Sequence, residues 1–423
     1  MANQTLSVIP HIIDQHAEEA AFLWLQRNNA VNDPHYDLKD LIKLDDRVAA
    51  HLDGLAVAGD YGLSVCETAL GDAGAGELFA VAVQVIERKD DKQLERLFAL
   101  AEALPEVRHG LISAFGWVSA HYLAGTGARL LASTEPFKQL VGIATCAMHR
   151  VDPAAVLTQS LSNSDPALRS RAFRAAGELG RVDLLAACIN GLQDKDVASR
   201  FWATWSAVLL GDRNKALKTL ESFVHLPNDF QARALQLLLK ILDLPEAQQL
   251  LKTIAQNPTN KRVSIQSVGI VGDAQYLPWL IRQMEDDKFA RVAGESFSMM
   301  TGLDLAYLDL EHDAPENFES GPTGNPEDED VAMDQDDNLP WPDAVKLDQW
   351  WSENNQHYQA GTCYFMSANI TWNHRLQILE EGYQRQRAHA AQHLCLLKPG
   401  TQLFPTYAPG WRQRRWLIKM GRF

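Results

Sequence analysis

Residues 161–181 read LSNSDPALRSRAFRAAGELGR, and their order describes half of a helical hairpin. Ser164-Asp165-Pro166 is a turn that opens a helix: Asp165 caps it, and Pro166 suits the first helical position, where its missing N–H is no loss. Ala172, Ala175, Ala176 and Leu179 then form an apolar stripe, and Gly180 ends the helix. The unit recurs along the chain. Arg171, Arg200, Arg233, Arg262 and Arg291 follow one another at nearly constant intervals, a period that marks a helical repeat array.

Extended backwards, the ladder takes in Lys138 in TEPFKQLVGIATCAM, Arg108 in LPEVRHGLISAFGWV, Glu77 in GAGELFAVAVQVIER, and Arg47, where Asp45-Asp46 reads as a capping pair. The nine rungs imply nine units, with Glu77 the one that breaks the basic pattern. Between rungs lie second helices at 184–192, 215–224, 245–255 and 276–285. Each unit is two helices joined by a turn rich in Asp, Pro and Asn, the hairpin that stacks into an α-solenoid. A cation beside that turn can bond turn carbonyls and pair with an Asp of the adjacent unit, so the rungs are expected to hold the stack together. Arg174, Gln236 and Lys240 fall on equivalent solvent-side positions and are left to bind. Trp202 and Trp205 are three apart on one helix. Core packing is the commoner role for such a pair, and an anchor on the inner surface of the solenoid is the alternative.

Bulk composition narrows the function classes. With 423 residues and 46% hydrophobic content, the chain can bury a core. A formal charge of −15 argues against a nucleic-acid partner, which needs a basic stripe. Cys66, Cys146, Cys188, Cys363 and Cys395 are scattered and never form a CxxC pair, which fits reduced thiols packed in a cytoplasmic protein. MANQTLSVIPHII lacks the pattern of a cleaved signal, and no long apolar run suggests membrane insertion.

Composition also divides the chain. An N-terminal cap and first repeat (1–60) open on an amphipathic helix at 8–29 with Ile12, Ala20, Leu23 and Trp24 on one face. The repeat solenoid occupies 61–302. An acidic linker spans 303–340, within which 309–337 carries twelve carboxylates and no Lys or Arg. It reads as a solvated loop, or as an acidic arm for a basic partner or for the chain's own tail. Residues 341–423 hold six of the eleven tryptophans, and beyond Glu381 there are eight basic residues and no acidic side chain. That segment reads as a capping module of two helices followed by turns and extended backbone, with Trp411, Arg412 and Arg415 as further candidates for gripping a partner.

A search for catalytic patterns finds no GxxxxGK[ST], GxSxG or HExxH, and the glycines of GDAGAG and GTGAR lie between helices, where they make turns. His389 and His393, i,i+4 with Cys395 nearby, lack an evident fourth ligand, and His11, His16 and Asp14 do not share a helical face. No catalytic residue, metal or cofactor is therefore expected.

Three stretches, QHAEEAAFLWLQR (15–27), LDDRVAAHLDGLAVAGDYG (44–62) and GYQRQRAHAAQHLCLLKPGTQLFPTYAPGWRQ (382–413), resemble a bacterial family of HEAT-repeat proteins encoded beside type VI secretion spike, PAAR and effector genes. The resemblance implies an all-α, HEAT-like α-solenoid, a right-handed superhelix of helical hairpins, closed by the Trp-rich basic module. It further implies a cytoplasmic, non-enzymatic adaptor or chaperone-like accessory that binds an effector, PAAR or spike-associated protein before delivery. In this family Gln15, His16, Glu19, Trp24, Arg47, His51, Asp53, Arg385, Arg387, Trp411 and Arg412 are motif members without a catalytic role. Two alternatives remain. One is an immunity protein whose acidic face neutralises a co-encoded toxin. The other is a HEAT-repeat enzyme of the DNA-glycosylase or lyase kind, with Trp202 and a carboxylate such as Glu178 on its concave face.

Overall fold

The Asp165 side chain accepts the N–H of Leu168, and helix Pro166–Glu178 begins there as the opening stretch predicts. Its end is a Schellman turn: Gly180 takes φ +66°, Arg181 N–H bonds the Ala176 carbonyl and Gly180 N–H bonds that of Gly177. The next repeat helix, Val197–Leu209, is capped by Asp196 and closed the same way at Gly211. The step from cap to cap, Asp165 to Asp196, equals the step from closing glycine to closing glycine, Gly180 to Gly211. That shared step, slightly longer than the one from Arg171 to Arg200, is the true phase of this repeat.

The computed structural model describes residues 8–72, 74–225, 228–316, 318, 321 and 334–422. Among these the fold is all-α, with twenty-two α-helices. Its only two-stranded sheet pairs Glu311–His312 antiparallel with Trp341–Pro342. The EDED run at 327–330 lies outside the described residues. The chain forms two compact units, Met1–Thr219 with Leu379–Phe423, and Leu220–Ile378. These limits differ from the composition breaks at 302 and 340. Trp341, Trp350, Trp351 and Trp372 fall in the second unit, and Trp411 and Trp416 in the first.

In the first unit, Pro10–Ala30 packs against Leu38–Val57 and Ala75–Arg88. From there Ala75–Arg88, Arg108–Trp117, Pro136–His149, Pro166–Glu178 and Val197–Leu209 each pack on the next. Trp24 stacks on Phe79 at 5.0 Å, which meets Trp117 edge-on at 5.7 Å. Ile12 is exposed, and Ile13 takes the buried position instead. Asp45 and Asp46 do not cap: Leu38–Val57 runs through them from a cap at Asp37. Close approach is built in at Gly177, where a Cβ would lie 2.5 Å from Ser206 Oγ and 2.9 Å from Trp205. Ser206 Oγ donates to the Phe173 carbonyl across the same contact, at 2.6 Å.

The C-terminal part of this unit runs back along the repeats. Gly400 lies against Gly180, Leu403 N–H donates to the Glu178 carbonyl, and Arg150 donates to the Leu403 carbonyl at 2.9 Å. Further on, Arg27 bonds the Tyr407 carbonyl, and Gly410 N–H reaches the Asp45 carboxylate at 2.6 Å. The stretch expected to finish without a helix has one, Gly410–Lys419. Arg412 on it donates to the carbonyls of Gly116 at 2.6 Å and Val118 at 2.9 Å.

In the second unit Gln231–Leu239, Lys261–Val271 and Asp287–Thr301 pack in series, and Ala344–Asn354 packs on Leu277–Gln283. Here too a later segment covers the helix ends. Tyr364 N–H bonds the Gly272 carbonyl, while Met366 and Ser367 N–H bond those of Met299 and Met300. These are carbonyls that an isolated helix end leaves unsatisfied.

Candidate protein-binding surface

Helix Pro166–Glu178 of the first unit places Arg174 and Glu178 one turn apart, and Val197–Leu209 brings up Trp202 and Trp205 beside them. The Arg174 guanidinium lies 4.6 Å over the Trp202 ring, and Trp202 meets Trp205 edge-on at 5.3 Å. Trp205 is buried, as its i+3 partner on a packed helix should be, while Trp202 is partly buried and Arg174 keeps 38% of its side chain exposed. The accessible part of the pair is a cation stacked on an aromatic face, an arrangement suited to gripping a protein surface.

Beneath it lies Glu178, 1% exposed. Arg171 Nη2 reaches one carboxylate oxygen at 2.9 Å and Arg174 Nε the other at 2.8 Å. Burial alone would raise its pKa, but Arg171, Arg174 and Arg150 outweigh that and hold it to about 2. A carboxyl so strongly acidic stays ionised and is a poor general acid or base near neutral pH.

The ladder divides by function. Arg108 bonds the turn carbonyls of Ala101 and Glu102 at 2.7 and 3.2 Å, and Arg200 bonds that of Asp194 at 2.7 Å. Lys138 reaches Glu95 on helix Asp91–Ala103 at 2.6 Å. Arg171 does neither, because it pairs with Glu178 of its own helix. The residue that spans to the next repeat is Arg169, bidentate on Asp194 at 2.6 and 2.9 Å and also bonded to the Asn163 carbonyl. The Asp165 cap explains this. Arg169 stands four positions after its cap, as Arg200 does after Asp196, whereas Arg171 is two positions further and about 200° round the helix. Arg47 is exposed on Leu38–Val57.

The remaining first-unit candidates sit on Gly410–Lys419. Trp411 is flanked by Arg412 at 4.8 Å and Arg415 at 4.7 Å. Arg412 is buried and bound to backbone, so of the three only exposed Arg415 and the partly buried Trp411 ring face outward. Nearby His149 Nε2 donates to the Phe115 carbonyl, 2.8 Å away. Burial, then the charge of Arg412, push its pKa down to about 4. His16 pairs through Nδ1 with His51 Nδ1 at 3.0 Å, so at least one of the two nitrogens carries no proton. His389 and His393 are buried on Gln384–Leu397. Among the described residues, no three His, Cys, Asp or Glu groups converge as metal ligands.

In the second unit Gln236 is partly buried on Gln231–Leu239 and Arg233 is exposed on the same helix. Lys240 is partly buried at its end. Burial, then the charge of Arg375, push its ammonium pKa well down. Arg375 is fully buried, stacked 4.2 Å over Phe365 and hydrogen-bonded to His374 Nδ1 at 2.8 Å. The last two rungs hold the acidic segment. Arg262 is bidentate on Asp336, while Arg291 reaches Asp334 at 2.6 Å and the Asp336 carbonyl at 3.0 Å. Asp334 and Asp336 of the acidic stretch thus meet the chain's own ladder, whereas the sequence suggests a basic partner or the chain's own tail.

Neither Arg169 nor Arg150 carries a signal that a search for ligand residues would find. Only their distance from a helix cap or helix end marks them. No described helix is long and apolar enough to cross a membrane. A comparison with curated proteins finds no match. Residues 154–240 match the family of HEAT repeats, the stretch that includes both the Arg169–Asp194 bridge and the Arg174–Trp202 pair.

Proposed function

We propose that this protein is a non-enzymatic scaffold that binds another protein through the Arg174–Trp202 surface. The observation that carries the reading is the partly exposed cation stacked on an aromatic ring at the junction of two HEAT-repeat helices. HEAT repeats are commonly protein-interaction scaffolds. The resemblance of residues 15–27, 44–62 and 382–413 supports a partner that is an effector, PAAR or spike-associated protein of a type VI secretion system, bound by a cytoplasmic adaptor before delivery. Trp411 and Arg415 extend the surface on the C-terminal helix, and Gln236 and Lys240 supply a second contact region.

The test is co-purification of the tagged full chain with the products of its gene cluster. Capture of an effector or PAAR protein, lost in Arg174→Ala with Trp202→Ala while the fold survives, is the expected result. Capture of none of those products sinks the proposal. A growth assay separates the immunity reading, since an adaptor need not rescue cells from a toxin. That reading is weakened because Asp334 and Asp336, part of the acidic stretch that motivates it, are already engaged by arginines.

A further inference from the structure

We propose that Arg262 and Arg291 form a recognition site for an acidic peptide segment of a protein partner, a site that Asp334 and Asp336 of the same chain occupy in cis. The inference is independent of the Arg174–Trp202 surface and of any secretion partner.

The two guanidiniums project from Lys261–Val271 and Asp287–Thr301, neighbouring helices that pack on each other and carry successive rungs of the ladder. Together they read an Asp-Gln-Asp tripeptide. Arg262 takes the Asp336 carboxylate with both terminal nitrogens. Arg291 takes the Asp334 carboxylate at 2.6 Å and, with its other terminal nitrogen, the Asp336 carbonyl at 3.0 Å. Two side chains and one backbone group of the segment are thereby specified. The Trp341 ring backs Arg291 at 4.6 Å and Phe318 lies 5.2 Å from it. One partner of each pair is nearly buried, Asp336 with 5% and Arg291 with 8% of the side chain exposed. The other is partly exposed, Arg262 with 26% and Asp334 with 17%, so the pairs are shielded yet reachable, and bidentate geometry adds discrimination.

Chain connectivity does not call for this contact. Glu311 pairs with Pro342 and His312 with Trp341, and about two to five residues would close such a hairpin. The chain instead places the whole of 313–340 between the paired ends, with ten acidic side chains along it. An insertion of that length and charge, with two carboxylates seated on arginines of the repeat ladder, has the character of a tethered ligand. Tethering gives it an effective concentration in the millimolar range, so a weak competitor is excluded and a stronger acidic segment displaces it.

The test uses the full-length chain and a labelled synthetic peptide, EDEDVAMDQDDNLP, the sequence of residues 327–340. The Asp334→Asn, Asp336→Asn double variant should bind the peptide at least about tenfold more tightly than the native chain, because its own segment competes less. Binding should weaken at least about tenfold between roughly 50 and 500 mM NaCl, and should vanish when Arg262→Gln and Arg291→Gln are added. The proposal fails if the double variant binds no better than the native chain, or if removing the two arginines leaves binding unchanged. Equal competition by a single-stranded oligonucleotide would overturn the assignment to an acidic peptide. Should circular dichroism show the double variant unfolded, Asp336→Asn alone, which keeps the Arg291–Asp334 pair, is held to the same criteria.

Discussion

Both units use arginine to hold a later part of the chain against the repeats, but they aim it at different acceptors. In the first unit Arg150 and Arg412 donate to backbone carbonyls, those of Leu403, Gly116 and Val118. In the second, Arg262 and Arg291 hold the carboxylates of Asp336 and Asp334. Carbonyls are present whatever the sequence and carry no net charge, so the first arrangement is a permanent strap. Carboxylates depend on residue identity, salt and competitors, so the second can be exchanged. The same side chain therefore seals one unit and leaves the other responsive.

The largest effect is expected at Glu178, a buried carboxylate that Arg171 and Arg174 share. Glu178→Ala leaves Arg171 and Arg174 beside a buried vacancy, and stranding one side of a buried ion pair costs about 3–5 kcal/mol. Urea denaturation measures it. A loss below about 1 kcal/mol would mean that the arginines turn to water and the cluster is not a structural hub.

Acid should act on the same unit. The Glu178 pKa falls from 4.5 unfolded to about 2 folded, so its contribution is fully present above pH 4.5 and lost as pH drops towards 2. The amount is roughly 3 kcal/mol. His149 falls from 6.5 to about 4, so the unfolded chain takes up its proton first, and stability declines as pH drops from 6.5 to 4. Melting temperature followed from pH 8 to 4 should decline below 6.5, and His149→Gln should flatten that part of the curve. A profile that stays level from 6.5 to 4 in the native protein contradicts a buried neutral His149.

A matched pair of substitutions sharpens the contrast in acceptors. Arg412→Ala, which loses its carbonyl bonds, should cost roughly 2–3 kcal/mol with little dependence on salt. Asp336→Asn should cost about 1–2 kcal/mol at low salt and clearly less near 1 M NaCl, because it weakens a charge pair. Equal salt dependence of the two costs would erase the distinction between strap and exchangeable contact.

Much of the repeat architecture is legible from residues 161–181. The Asp165 cap, Pro166, the Ala stripe and the Gly180 stop all act within one helix, and the structure has the Pro166–Glu178 helix that they predict. The candidate site is legible in part: Arg174 and Trp202 do meet. The ladder's phase is not, because counting from arginine to arginine cannot show which residue stands four after a cap. Arg171 was expected to bridge repeats, but Arg169 does so. The reading of the tail as one Trp-rich module likewise followed composition, and composition does not record that its tryptophans fall in two compact units.

By itself the sequence determined that the chain folds as helical hairpins, since caps, apolar period and glycine stops are interactions between residues a few positions apart. Only the tertiary structure decided what each arginine holds. Arg150 and the Leu403 carbonyl are 253 residues apart, and Arg262 and Asp336 are 74. Cations of the same type differ in role because packing brings a carbonyl to one and a carboxylate to another, and no local pattern encodes which will arrive.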